Sequence, residues 1–170
     1  RYQQHTGPVT SVVFTSQGNN FLSSSLDNTV IQWDLITGEV IQTLPGHSNS
    51  ENFGIFSLDI APDGRTVATG SCGAYYDSGR TNCRQGEIIL WDLETGEMLQ
   101  LIQGHSHLVT SVSFAPDGET ILSSSWDRLL ILWDVETAER LRTYQGHGEG
   151  ISQATFSPDG ETLLSSSTDR

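Results

Sequence analysis

Apolar residues along this chain come in short bursts of four to seven, rich in Val, Ile, Leu, Thr and Ser, and each burst is cut off by a polar turn signal. In the stretch 109–144, VTSVSFA (109–115) precedes Pro116-Asp117-Gly118, and TILSSS (120–125) precedes a tight Trp126-Asp127-Arg128 corner. LLILWD (129–134) and Glu136-Thr137-Ala138 follow, then ERLRTY (139–144). Breaks about ten residues apart are the spacing of antiparallel strands, and no window shows a 3.6-residue apolar period. Pro presets φ in the PDG turn and Gly allows φ > 0, which suits a hairpin. The pattern predicts four short strands in this stretch.

It also repeats. His5, His47, His105 and His147 are spaced 42, 58 and 42 residues apart, and Trp33, Trp91 and Trp133 are spaced 58 and 42. The two ladders share a period of 42, with 16 extra residues in one interval. A fixed period of this length marks a repeat architecture. The expected units are 5–46, 47–104 with an insertion at 73–86, 105–146, and half a unit at 147–170.

Gly46-His47, Gly104-His105 and Gly146-His147, with Trp33-Asp34, Trp91-Asp92 and Trp133-Asp134, resemble the WD-repeat β-propeller family over the whole chain. Departures are Gln4 in place of Gly, TSQG (15–18) in place of PDG, and Ala138 in place of the Gly of TGE. The resemblance implies an all-β fold of four-stranded antiparallel blades, here an incomplete ring of three blades plus half a blade. It also implies a buried hydrogen-bonded tetrad in each blade. By position these are His5, Ser25, Asp27 and Trp33, then His105, Ser125, Asp127 and Trp133, with His147, Ser167 and Asp169 in the half blade. Blade 2 contributes His47 and Trp91; its corner is replaced by the insertion, where Asp77 is one candidate acid.

Repeated His, Ser and Asp also invite a hydrolase reading. A nucleophilic triad needs one activated Ser, however, and several copies at fixed spacing suit a scaffold better. No G-x-S-x-G elbow is present. His105 and His107 lack a third metal ligand nearby, and two cysteines cannot complete a zinc site. No metal or cofactor is expected.

The 16 extra residues fall within 48–54 and between Cys72 and Gly86, both on the face of the Gly-His loops. Tyr75, Tyr76, Asp77, Arg80 and Arg84 in the insertion, with Trp126 at the neighbouring corner, form the candidate partner-binding set. The tyrosines either join Trp126 in an aromatic patch or pack the loop onto its own blade. Cys72 and Cys83 are equally readable as a disulfide or as a free pair.

Eight Arg and no Lys against 21 acidic residues give a net charge of −13. Phosphate recognition needs basic clusters, so no nucleic acid or anionic membrane partner is expected, and no apolar run reaches the roughly 18 residues of a membrane helix. The expected function is a non-catalytic scaffold that binds a protein or peptide, the sensor or docking part of a larger signalling protein of bacterial type, in the cytoplasm. The remaining blades would come from the same or a partner chain. The alternatives are an enzyme using the insertion, for example Asp77 with Cys83, or a purely architectural array.

Overall fold

The computed structural model describes residues 2–47, 54–75 and 82–169, without the side chain of Tyr75. It is all-β. The first sheet holds β1 (Val9–Phe14), β2 (Asn20–Ser25), β3 (Thr29–Asp34) and β4 (Val40–Pro45) in chain order. The second holds β5 (Ser57–Ile60), β6 (Thr66–Tyr75), β7 (Cys83–Asp92) and β8 (Met98–His105). The third holds β9 (Val109–Phe114), β10 (Thr120–Ser125), β11 (Leu130–Asp134) and β12 (Arg140–Tyr144). A two-stranded sheet of β13 (Ile151–Phe156) and β14 (Leu163–Ser167) follows. Neighbouring strands are antiparallel throughout, so the fold is a set of unclosed propeller blades.

The turns explain why these short strands stop where they do. Gly64, Gly118 and Gly160 of the PDG turns have φ between 70° and 77°, and Gly18 of TSQG has φ 68°. TSQG is thus the same turn without proline. Ala138 takes φ 58° where Gly38 and Gly96 take 75° and 73°, a conformation that costs an L-residue energy. Asp134 caps this turn by accepting the Thr137 amide (2.8 Å) and hydroxyl (2.9 Å), as Asp34 and Asp92 accept the matching amides at 2.7 and 2.9 Å.

Neighbouring sheets pack face to face. Leu22, Val30 and Leu44 of the first blade pack on Leu58, Val67, Ile89 and Trp91 of the second. Ala68, Ile88, Leu90 and Ile102 pack on Val109, Val112, Phe114, Ile121 and Trp133 of the third. Leu122 and Leu130 pack on Ile151 and Ala154. Hydroxyls stitch the innermost strands together. Thr10 Oγ1 donates to the Ile55 carbonyl (2.6 Å) and Thr110 Oγ1 to that of Ile151 (2.7 Å). Ser57 Oγ accepts the Val112 amide (2.8 Å), and Ser111 Oγ that of Ala154 (2.9 Å).

The insertion is partly strand. β6 and β7 run ten residues each against five or six in their counterparts, with pairing continued from Ser71↔Glu87 to Tyr75↔Cys83. Blade 2 therefore projects a two-stranded extension from the Gly-His end.

Candidate functional site

Tetrads of hydrogen-bonded side chains fix the Gly-His face. In blade 1 the Trp33 indole N–H donates to Ser23 Oγ (2.8 Å). Ser23 Oγ lies 2.7 Å from His5 Nε2, and His5 Nδ1 lies 3.0 Å from Asp27. With the hydroxyl donating to Nε2 and Nδ1–H donating to the carboxylate, the chain runs from indole to carboxylate with every polar atom paired. Blade 3 repeats it with Trp133, Ser123, His105 and Asp127 at 2.7, 2.7 and 2.8 Å. The half blade has Ser165, His147 and Asp169.

Ser23, Ser123 and Ser165 are the tetrad hydroxyls, not Ser25, Ser125 and Ser167 as expected from the sequence. Both members of each pair point to one face, because strand side chains alternate. Register separates them: Trp33 lies opposite Phe21, so its indole reaches Ser23, one alternation away, and not Ser25. Ser25, Ser125 and Ser167 instead hold the corner, accepting the amides of Asp27, Asp127 and Asp169 at 3.0, 3.1 and 3.2 Å.

Blade 2 keeps a complete tetrad of different composition. Thr69 replaces the serine, 2.9 Å from both the His47 Nε2 and the Trp91 indole nitrogen. The acid is Glu87, whose Oε1 lies 2.7 Å from His47 Nδ1. Glu87 stands four residues before Trp91, the position of Thr29 in blade 1, whose hydroxyl contacts both Asp27 and His5. The carboxylate thus enters from the third strand, leaving the corner free to lengthen. A Cβ at Gly73 would sit 2.2 Å from Glu87 Oε2, so this close approach needs glycine. Asp77, the sequence candidate, lies outside the described residues, as do Tyr76 and Arg80.

The three tetrad aspartates are held in their charged form. Burial opposes ionisation of Asp27, but hydrogen bonds from Thr29, the Thr6 amide and His5 outweigh it and bring its pKa to about 2. Asp127 is lowered against burial by His105 and the Ser106 and Leu129 amides. Asp169 is lowered chiefly by the Gly148 amide.

On this face Trp126 stands 53% exposed, while Trp33, Trp91 and Trp133 are buried. Its corner is fastened on several sides. The Trp126 amide donates to the Leu108 carbonyl (3.1 Å), and Ser125 Oγ donates to that of His107 (3.1 Å). The His107 ring lies 5.5 Å from the indole, and Gly150 of the half blade passes beneath it. His107 Nδ1 accepts the Leu108 amide (2.8 Å), and burial lowers its pKa despite the charge on Asp127. Both favour the neutral form of the ring beside the indole. Leu26 and Thr168 occupy the matching corners.

Arg84, exposed on β7, and Arg128, exposed beside Trp126, have no acidic partner among the described residues. Arg84 borders a cleft with Gly104, His105 and Ser106. Acids at this end, among the described residues, are the four tetrad carboxylates and Glu149. The opposite end carries Asp34, Asp63, Asp92, Asp117, Asp134 and Asp159 in its turns, most with a glutamate nearby. Among the described residues the acidic charge is therefore concentrated away from Trp126.

Cys72 and Cys83 form a disulfide, which resolves the choice the sequence left open. Both are buried and pack with Leu108 and Phe56. Among the described residues no group of three or more His, Cys, Asp or Glu could hold a metal.

Blades with buried Trp-hydroxyl-His-carboxylate chains, stitched side by side, define a WD-type propeller. The family model "WD domain, G-beta repeat" matches residues 1–34, 38–92, 96–134 and 138–170, and the chain belongs to this WD40 repeat family. Among its relatives, mitochondrial division protein 1 of Eremothecium gossypii is 32% identical over 120 residues, covering 66% of this chain and 16% of that protein. WD repeat-containing protein SL1-17 of Schistosoma mansoni is 31% identical over 158 residues, covering 75% and 51%. The crystal structure of the RRP9 WD40 repeats superposes with a TM-score of 0.77 at 21% identity, over 91% of this chain and 43% of that one. The chain thus spans about half or less of each of these proteins. Both curated relatives are eukaryotic, so the bacterial-type origin expected from the regular repeats gains no support.

Proposed function

We propose that this chain is a non-catalytic interaction module that presents its Gly-His face to a protein or peptide, with Trp126 as the anchor. WD40 repeat proteins generally mediate protein–protein interaction or scaffolding. The observation that carries the site is a tryptophan more than half exposed yet pinned by its neighbours. A rigid exposed aromatic contributes contact area at low entropic cost, and interface centres are depleted in acidic groups, as this end is. Arg128, two residues from the anchor, and Arg84, at the same end beside Gly104 and His105, favour a partner segment with carboxylates beside an apolar side chain. Four of the five histidines, His5, His47, His105 and His147, are committed to tetrads.

The free face of blade 1 supports a wider assembly. Val9, Val12 and Phe14 are 52%, 56% and 59% exposed, while the matching Val109, Val112 and Phe114 are 0%, 5% and 7% exposed under blade 2. The same side chains in the same register fit another blade, supplied by a larger polypeptide or a partner chain. A sensor or docking role in a signalling protein, in the cytoplasm and without nucleic acid or membrane contacts, completes the proposal. Partners captured by cross-linking to the intact protein should be lost in Trp126→Ala and retained when Glu94 and Glu97, at the opposite end, are changed to Gln. Equal retention in both variants refutes the site.

A further inference from the structure

We infer that the Cys72–Cys83 disulfide controls the seating of Trp126 through Leu108, making the docking face sensitive to redox state. The inference rests on the Trp126-centred reading above.

Leu108 connects the two features. Its side chain, 2% exposed, packs in the cluster that holds both cysteines. Its carbonyl accepts the Trp126 amide, and its own amide donates to the His107 ring that lies against the indole. A displacement of Leu108 therefore moves both the backbone tie and the ring neighbour of Trp126. The disulfide joins β6 to β7 at the start of the blade 2 extension, where pairing is already irregular, with register shifts at Cys72/Ala74 and Ala74/Tyr75. Reduction by two thiols, or one dithiol, of the glutathione or thioredoxin class breaks the Cys72–Cys83 sulfur–sulfur bond. A disulfide forms in the reductant, whose two electrons and two protons leave two thiols on the protein.

Two thiol sulfurs cannot remain at bonding distance, so they part inside a close-packed cluster that has Leu108 as a wall. Protein interiors transmit volume changes as small as a methylene. The reduced hairpin also regains the chain entropy that the bridge removed, so its base opens more often. Because both cysteines are buried, the attacking thiolate must wait for such openings, which gives a slow and selective response. In a cytoplasmic protein a disulfide of this kind is typically transient and redox-sensing.

The test uses the intact protein, oxidised or fully reduced with dithiothreitol, with the thiol state checked by alkylation and mass spectrometry. Hydrogen exchange at the Trp126 amide should accelerate on reduction, by up to about 100-fold for a bridge closing so short a loop. Acrylamide quenching of Trp126, isolated by difference from Trp126→Phe, should change with it. Leu108→Ala should shift the oxidised protein towards the reduced signals and blunt any further change on reduction. Unchanged exchange and quenching in verified reduced protein overturn the coupling while leaving the docking site standing. Conversely, partner capture unaffected by Trp126→Ala refutes the docking site, and the exchange data still decide the coupling. Cys72→Ala/Cys83→Ala provides a second reduced-like state, and quenching of the buried tryptophans would reveal any general unfolding in it.

Discussion

Removing the Glu87 carboxylate tests whether blade 2 draws its acid from a strand. His47 is fully buried and Glu87 is 4% exposed, with 2.7 Å between His47 Nδ1 and Glu87 Oε1. In Glu87→Ala the Nδ1–H loses this acceptor in a site closed to bulk water. A hydrogen bond to a charged group contributes about 1.5–3 kcal/mol, and breaking a buried pair by removing one partner costs about 3–5 kcal/mol. About 3 kcal/mol of destabilisation is therefore expected. Glu87→Gln keeps a carbonyl in reach of Nδ1–H and should lose about 1 kcal/mol. Gly73→Ala, which drives a methyl into Glu87 Oε2, should fall between the two. Urea unfolding followed by tryptophan fluorescence gives the ranking. The reasoning is refuted if Glu87→Ala stays within about 0.5 kcal/mol of the parent, the range of an ordinary surface change, or if Asp77→Ala costs as much as Glu87→Ala.

Ser123→Ala deprives both the Trp133 indole N–H and His105 Nε2 of their partner, so it should cost about 2–3 kcal/mol, against about 1 kcal/mol for Ser125→Ala; equal losses in urea melts would reverse the serine assignment. Phe14→Glu in the intact protein should destabilise by about 2 kcal/mol or more if another blade covers that face, while a neutral effect on the melting curve would show the face is free. Asp27 is depressed to about 2 in the fold from an unfolded value near 3.9, so its contribution is complete above about pH 4 and is lost as pH falls towards 2. Asp27→Asn should flatten thermal stability across that window, and an unchanged acid limb counts against the tetrad's charge. Asp59 has the opposite sign: burial raises its pKa although the Phe114 and Ile60 amides oppose this. Its charge therefore opposes folding at neutral pH, and Asp59→Asn, which still offers Phe114 N–H an acceptor, should hold or raise the melting temperature there.

The repeat and its strands were legible because His and Trp recur at one period and the turns carry Pro, Asp and Gly. Even TSQG, a departure in letters, keeps the one residue its geometry demands, Gly18. What spacing could not settle was the choice between equivalent atoms. Ser23 and Ser25 share a face, and only the lean of the Trp33 indole along the sheet selects between them. Thr69 and Glu87 depart from the repeat, with a threonine where the sister blades have serine and the acid on a strand instead of at the corner. A carboxylate four residues before the tryptophan, aligned with Thr29, was the signal available. The exposed Trp126 was readable from its corner, but its ties to His107, Leu108 and Gly150 join segments that only folding brings together.

The hydroxyl stitches between innermost strands also bear on how this molecule yields to force. Each blade is tied only to the next, through Thr10 and Ser57 and again through Thr110 and Ser111. No single interface holds the whole, so a load applied along the chain is resisted one seam at a time. Pulling with optical tweezers should therefore release blades in steps, and the step of the second blade should lengthen on reduction, because the Cys72–Cys83 bridge keeps the residues between them from extending.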